Sequence, residues 1–140
     1  MFIKLNDKVY RNLIKIGTLM NYTIKNTSTT PYINFSNGKI HIKGKSIPTV
    51  NFGNLKSFLS VLRRYSKEPE AVTILDIDLD YINCCSKRCL MESLKILDRI
   101  YKKGYRICVN WYYDKNDEYM FELGSIYSSL VRLPVNLIEK

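Results

Sequence analysis

Residues 71–83, AVTILDIDLDYIN, alternate with a period of two: Leu75, Ile77, Leu79 and Tyr81 fall on one side, Asp76, Asp78 and Asp80 on the other. Successive side chains of a β-strand point to opposite faces. The pattern therefore describes a strand with one face on a core and the other toward water. The chain is expected to build a sheet covered by helices on one face and left largely open on the other.

The neighbouring segments fit this plan. In PYINFSNGKIHIKG, Ile33 and Phe35 alternate with Asn34 and Ser36, then Ile40 and Ile42 with Lys39, His41 and Lys43. Asn37-Gly38 between the runs tolerates the positive φ of a type I′ turn, which predicts a β-hairpin. Leu55, Phe58, Leu59 and Leu62 recur at helical spacing, predicting a helix over 53–65 with Asn54 as its cap. After the acidic strand, Leu90, Leu94, Leu97 and Tyr101 predict a helix over 86–103 closed by Gly104. Residues 105–113 read as a strand. A helix over 117–130 carries Met120, Leu123, Tyr127 and Leu130 on one face, and PVNLI forms a last short strand. The first 20 residues hold apolar positions without a clean period, and a short helix is expected there.

The order is ββαβαβαβ. Strands alternating with helices call for crossovers and a mostly parallel sheet. At 140 residues the chain is an α/β domain with a central mixed sheet, an N-terminal hairpin and helices mainly on one face. No apolar run approaches the roughly 18 residues of a membrane span. The N-terminus, broken by Lys and Asp, lacks the apolar core of a signal peptide, so a cytoplasmic location without membrane insertion is expected. The net charge of +9 raises nucleic acid or an acidic partner. The basic residues are scattered rather than massed, however, so a solvated surface is preferred to a basic nucleic-acid-binding domain.

Three chemistries compete along the central strand and the turn after it. Asp76, Asp78 and Asp80 on one face resemble a carboxylate ladder for Mg²⁺ or Ca²⁺, which would make the protein a metal-dependent enzyme. The solvent face of a half-buried strand explains them more simply, and no Gly-rich phosphate loop or EF-hand pattern lies nearby. That reading is preferred, and neither a metal nor a cofactor is expected. Cys84, Cys85, Cys89 and Cys108 form no C-x-x-C pair, and the single histidine, His41, sits mid-strand. The thiols read as buried or incidental, with a redox role for Cys84 left open. His41 flanked by lysines does not suit a Ser–His–Asp mechanism. Asp114, Asp117, Glu118 and Glu122 are better read as favouring a helix start than as paired glycosidase carboxylates. No catalytic residue is assigned. The turn itself, Asn83-Cys84-Cys85-Ser86, leads into a helix whose N-terminus favours an anion. It either presents a phosphorylated hydroxyl or simply uses Ser86 as an N-cap.

Three stretches shift that balance: TSTTPYINF with GKIHIKGKSIP, LDYINCCSKRCLMESLKIL, and VNWYYDKNDEYMFELGSIYSSLVRLPVNLI. Together they resemble the SiaC family of bacterial regulatory phosphoproteins over about residues 20–138. Residues 20–140 are then expected to form the family domain and residues 1–19 an extension. The resemblance implies a STAS-like fold and a non-enzymatic partner switch in cyclic di-GMP and biofilm signalling. It also implies a diguanylate cyclase as partner, with a Ser/Thr kinase and a phosphatase acting on a Thr in the Asn-Thr-Ser-Ser turn.

That turn aligns with Asn83, Cys84, Cys85 and Ser86, so the acceptor Thr is replaced by Cys84 and only Ser86 keeps a hydroxyl. The family's Glu-Asn after Pro48 is Thr49-Val50 here. Lys87, Arg88, Lys45, Ser46 and Thr49 are the expected contacts to a phosphate or partner. Either Ser86 has taken over as acceptor or the switch is lost. Loss is expected, because moving the acceptor two residues along a helix rotates it by about 200°.

Overall fold

The computed structural model describes residues 21–47 and 53–140. The short helix expected in the first 20 residues, and Thr49, lie outside them. The elements run β1 (Asn21–Ile24), β2 (Tyr32–Ser36), β3 (Lys39–Ser46), α1 (Gly53–Tyr65), β4 (Val72–Ile82), α2 (Cys84–Lys102), β5 (Arg106–Tyr113), α3 (Glu118–Leu130) and β6 (Val135–Glu139). One six-stranded sheet holds them in chain order, β1-β2-β3-β4-β5-β6. The first three strands pair antiparallel and the last four parallel. No helix among the described residues is long and apolar enough to cross a membrane.

The two faces of the sheet differ by one residue of register. Ile33, Ile42, Ile77, Trp111 and Leu137 stand side by side across five strands, and Phe35, Ile40, Leu75, Val109 and Val135 form the next row. Both rows join one core with Leu55, Phe58 and Leu62 of α1, Leu90, Leu94 and Leu97 of α2, and Met120, Leu123 and Tyr127 of α3. The row between them is polar: Thr23, Asn34, His41, Asp76, Asn110 and Asn136. Amide side chains link parts of it, Asn34 to Thr23 at 2.9 Å, Asn110 to Asp76 at 2.8 Å and Asn136 to Asn110 at 3.1 Å.

The hairpin turns at Asn37 (φ 51°) and Gly38 (φ 80°), the paired positive φ that Asn-Gly predicts. Elsewhere the structure departs from expectation. β1 is an additional strand, its Tyr22 and Ile24 packing toward the core. α1 begins at Gly53, so Asn54 lies inside the helix rather than before it. Tyr81, expected in the core, is 61% exposed. The cause is a break in register, since Leu79 pairs with Gly44 while Tyr81 pairs with Lys45, leaving Asp80 as an extra residue. Such a bulge shifts the alternation by one, and Ile82 becomes the buried residue instead. Leu130, expected on the inner face of α3, is 61% exposed, because the chain turns extended at Val131 and the buried Leu133 fills the core there.

Two features pin α3 and the loop after it. Trp111 is fully buried and donates its indole N–H to the Met120 carbonyl at 2.9 Å. A Cβ on Gly124 would lie 2.6 Å from Trp111 Cδ1 and 2.7 Å from Leu137 Cδ2, so only glycine lets the helix sit this close. Gly124→Ala is therefore expected to destabilise the fold by about 1–3 kcal/mol, the usual range for overpacking, read as a lowered urea midpoint.

Asp98 of α2, only 7% exposed, accepts the backbone N–H groups of Arg132 at 2.9 Å and Leu133 at 3.0 Å and lies 3.3 Å from Lys102 Nζ. Burial pushes its carboxyl up, but those donors outweigh burial and hold it below its ordinary value. A depressed carboxylate stabilises the fold above its unfolded pKa, near 4, and that stabilisation is lost as pH falls through the folded value. Asp98→Asn should remove this component of acid destabilisation in urea titrations across pH. Asp98→Ala should cost about 1–3 kcal/mol at neutral pH by orphaning two N–H groups.

Candidate functional site

The turn between β4 and α2 is set by where the strand ends and what the helix start needs. The first N–H groups of a helix have no intrahelical partner. Asn83, extended at φ −105°, answers by accepting the Ser86 N–H with its side-chain oxygen at 3.1 Å. α2 thus begins at Cys84, two residues earlier than expected, and the cap is Asn83 rather than Ser86.

That shift decides what each residue of the turn shows to solvent. Cys84 is exposed, Cys85 half-buried and Ser86 fully buried at 0%. The Ser86 hydroxyl lies 2.6 Å from the Ser46 hydroxyl, 2.7 Å from the Ser46 carbonyl and 3.1 Å from the Asn83 side-chain oxygen. The same Ser46 carbonyl accepts the Asn83 N–H at 3.1 Å. Ser46, also fully buried, ends β3. The node therefore ties the first turn of α2 to the end of the neighbouring strand.

Around it the surface is basic and aromatic. Arg88 is exposed, and Lys45 and Tyr81, partners across β3 and β4, are exposed too. Lys87 holds its ammonium 5.1 Å from the centre of the Tyr119 ring, and the Tyr119 hydroxyl keeps that ammonium above its ordinary value. Tyr127, its phenol pushed up to about 12 by burial, donates to the Lys87 carbonyl at 2.8 Å. α3 therefore buttresses the start of α2. Periodicity placed Tyr127 on the inner face of its helix, but nothing in the sequence signalled that Tyr119 and Tyr127 reach Lys87.

The other candidates are arranged differently. Asp76 is taken by the Asn110 amide. Asp78 pairs with Lys140 Nζ at 2.5 Å, with Asp80 at 3.9 Å and Asp114 at 3.7 Å from the same ammonium. Among the described residues no three His, Cys, Asp or Glu side chains are grouped to hold a metal ion. Cys89 is buried, which pushes its thiol up, and Cys108 sits on the polar face of the sheet, where the Asn136 amide donates to its sulfur at 3.2 Å. His41 stands on that face in an edge contact with Tyr32. Asp117 caps α3 by accepting the Met120 N–H at 3.1 Å.

Removing the Ser86 hydroxyl would leave buried polar groups of Ser46 short of a partner. Ser86→Ala is expected to cost about 1–3 kcal/mol, whereas Cys84→Ser at the exposed position should stay within about 0.5 kcal/mol. Chemical denaturation of the two variants checks the contrast.

Comparison with known proteins agrees with this architecture. Residues 24–140 match the family described as SiaC family regulatory phosphoprotein. An uncharacterized protein of Pseudomonas aeruginosa (strain UCBPP-PA14) is 26% identical over 103 residues, 72% of this chain and 82% of that protein. The structure of SiaC of Pseudomonas aeruginosa superposes with a TM-score of 0.79 at 21% identity, covering 87% of this chain and 100% of that one. A chain of the crystal structure of the diguanylate cyclase SiaD in complex with its activator SiaC, also from Pseudomonas aeruginosa, gives 0.79 at 22% identity, covering 85% of this chain and 99% of that one. The structural likeness shows a shared fold, and the family match spans most of the sequence. The chain belongs to the SiaC family of regulatory phosphoproteins.

Proposed function

We propose that this protein is a cytoplasmic, non-enzymatic regulator that docks and controls a diguanylate cyclase, and that it does so without being switched by phosphorylation. Family membership carries the first half of the reading, together with the solved complex in which the structurally similar SiaC is the activator of SiaD. The docking surface is built around Asn83–Arg88, where Cys84 and Arg88 are displayed at the start of α2 beside the Lys87–Tyr119 pair.

The geometry of the turn supports the second half. The position aligned with the family's acceptor hydroxyl carries the Cys84 thiol, which a Ser/Thr kinase does not phosphorylate. The hydroxyl that remains, on Ser86, has no exposure and is engaged with Ser46 and Asn83. A phosphate there would bring roughly −1.5 to −2 charges into a closed site, and the fold would have to open to receive it. The protein therefore presents one constitutive surface, and a kinase and phosphatase have no acceptor in the turn.

Two measurements test this. Added to the diguanylate cyclases of the same cell, the protein should raise cyclic di-GMP synthesis by one of them. Arg88→Glu should weaken that binding about tenfold, as truncation of a central interface arginine does; stimulation of none would sink the docking reading. Incubation with a cognate Ser/Thr kinase and ATP, followed by phosphosite mass spectrometry, should find no phosphate in the natural turn. Cys84→Thr should gain it at position 84. Stoichiometric phosphate on Ser86 would refute loss of the switch.

A further inference from the structure

At the other end of α2, Tyr101, Tyr105, Arg106, Arg132 and Pro134 surround a surface cleft of about 590 Å³. The helix between has 19 residues, a span of about 28 Å at 1.5 Å per residue. The cleft also lies where β5 and β6 begin, on the sheet edge opposite the end of β4. It is therefore separate from the turn.

Its cations come from three elements. Lys102 closes α2, Arg106 opens β5, and Arg132 lies in the loop between α3 and β6. Complementing the helix dipole explains only Lys102, which is in any case paired with Asp98 at 3.3 Å. Arg106 and Arg132 are exposed, and neither forms an ion pair with a described residue. The acid at this end of α2, Asp98, is committed to Lys102 and to the backbone N–H groups of Arg132 and Leu133. It thereby holds the Arg132 backbone at the cleft without neutralising the side chain. Tyr101 and Tyr105, both half-buried, also line the cleft and pack against the core.

We propose that this cleft binds a nucleotide, with the guanidinium groups of Arg106 and Arg132 on phosphate and the rings of Tyr101 and Tyr105 against the base. Forked guanidinium donors match phosphate oxygens two at a time. Base-on-aromatic contact contributes about 1–3 kcal/mol per base. The volume falls within the roughly 300–1,000 Å³ of small-molecule sites. Two unpaired arginines beside two aromatic rings favour a ligand that is both anionic and planar over a bare anion. The inference is independent of the docking reading.

Isothermal titration of the full chain with GTP, ATP, guanosine and sodium phosphate tests it. The expected result is saturable one-to-one binding of a nucleotide, tighter than that of guanosine or phosphate. Arg106→Glu and Arg132→Glu should each weaken binding about tenfold or more, as loss of a charge-assisted hydrogen bond does. Tyr105→Ala should weaken it several-fold and Tyr105→Phe should not. Lys43→Glu, the same change of charge on β3, should leave it unchanged. Circular dichroism confirms that the variants fold. Absence of nucleotide binding at millimolar concentration would overturn the proposal. So would phosphate binding as tightly as nucleotide, equal weakening by Lys43→Glu, or binding only to long single-stranded RNA.

Discussion

Each parallel crossover in this sheet steps from one strand to its next neighbour in the same direction, from β3 through to β6. A βαβ unit is right-handed almost without exception, so repeating the step sends every helix to the same face. Much of the rest follows. A single apolar layer must carry the whole core, which is why Ile33, Ile42, Ile77 and Trp111 stand in one unbroken row. None of the three described helices covers the opposite face, and its row is amide, hydroxyl, imidazole and carboxylate. The crossovers also gather the ends of β3, β4, β5 and β6 along one edge. There Ser46 meets Asn83, and Lys140 meets Asp78, Asp80 and Asp114.

On that edge the start of α2 is held from two sides. Ser46 grips it from β3 through the buried hydroxyl pair, and Tyr127 grips it from α3 through the Lys87 carbonyl. Neither grip involves Cys84. The opposite edge is organised by Asp98, which fixes the loop before β6 with two backbone donors. One long helix thus has its two ends anchored by different chemistry, a neutral hydroxyl node at its start and a buried carboxylate near its end.

How much of this could be read from residues alone depended on the range of the cause. Alternation along a strand and helical spacing are local, so the hairpin, the division of the sheet into an apolar and a polar face, and all three described helices were legible. Asn37-Gly38 was legible because only positive φ suits that turn. What failed was decided across strands. Asp80 looks like one more step in a regular alternation, and only its lack of a partner on β3 reveals the bulge that turns Tyr81 outward. The start of α2 was misplaced for a related reason. Asn83 and Ser86 are both good caps by composition, and the choice rests on Ser46, forty residues earlier in the chain. The cysteines and the basic residues were identified, but their unequal exposure is a property of the helix phase.

The buried Ser86 and the exposed Cys84 have unequal freedom over evolutionary time. A change at position 86 breaks a node that anchors the helix, so sequence drift there meets a folding barrier. A change at position 84 meets almost none, since that side chain stands in solvent beside a cap that does not depend on it. The turn can therefore exchange thiol, hydroxyl or carboxylate at its display position while the scaffold stays constant. In a lineage of such proteins, the chemistry displayed at this turn can diverge faster than the fold that presents it.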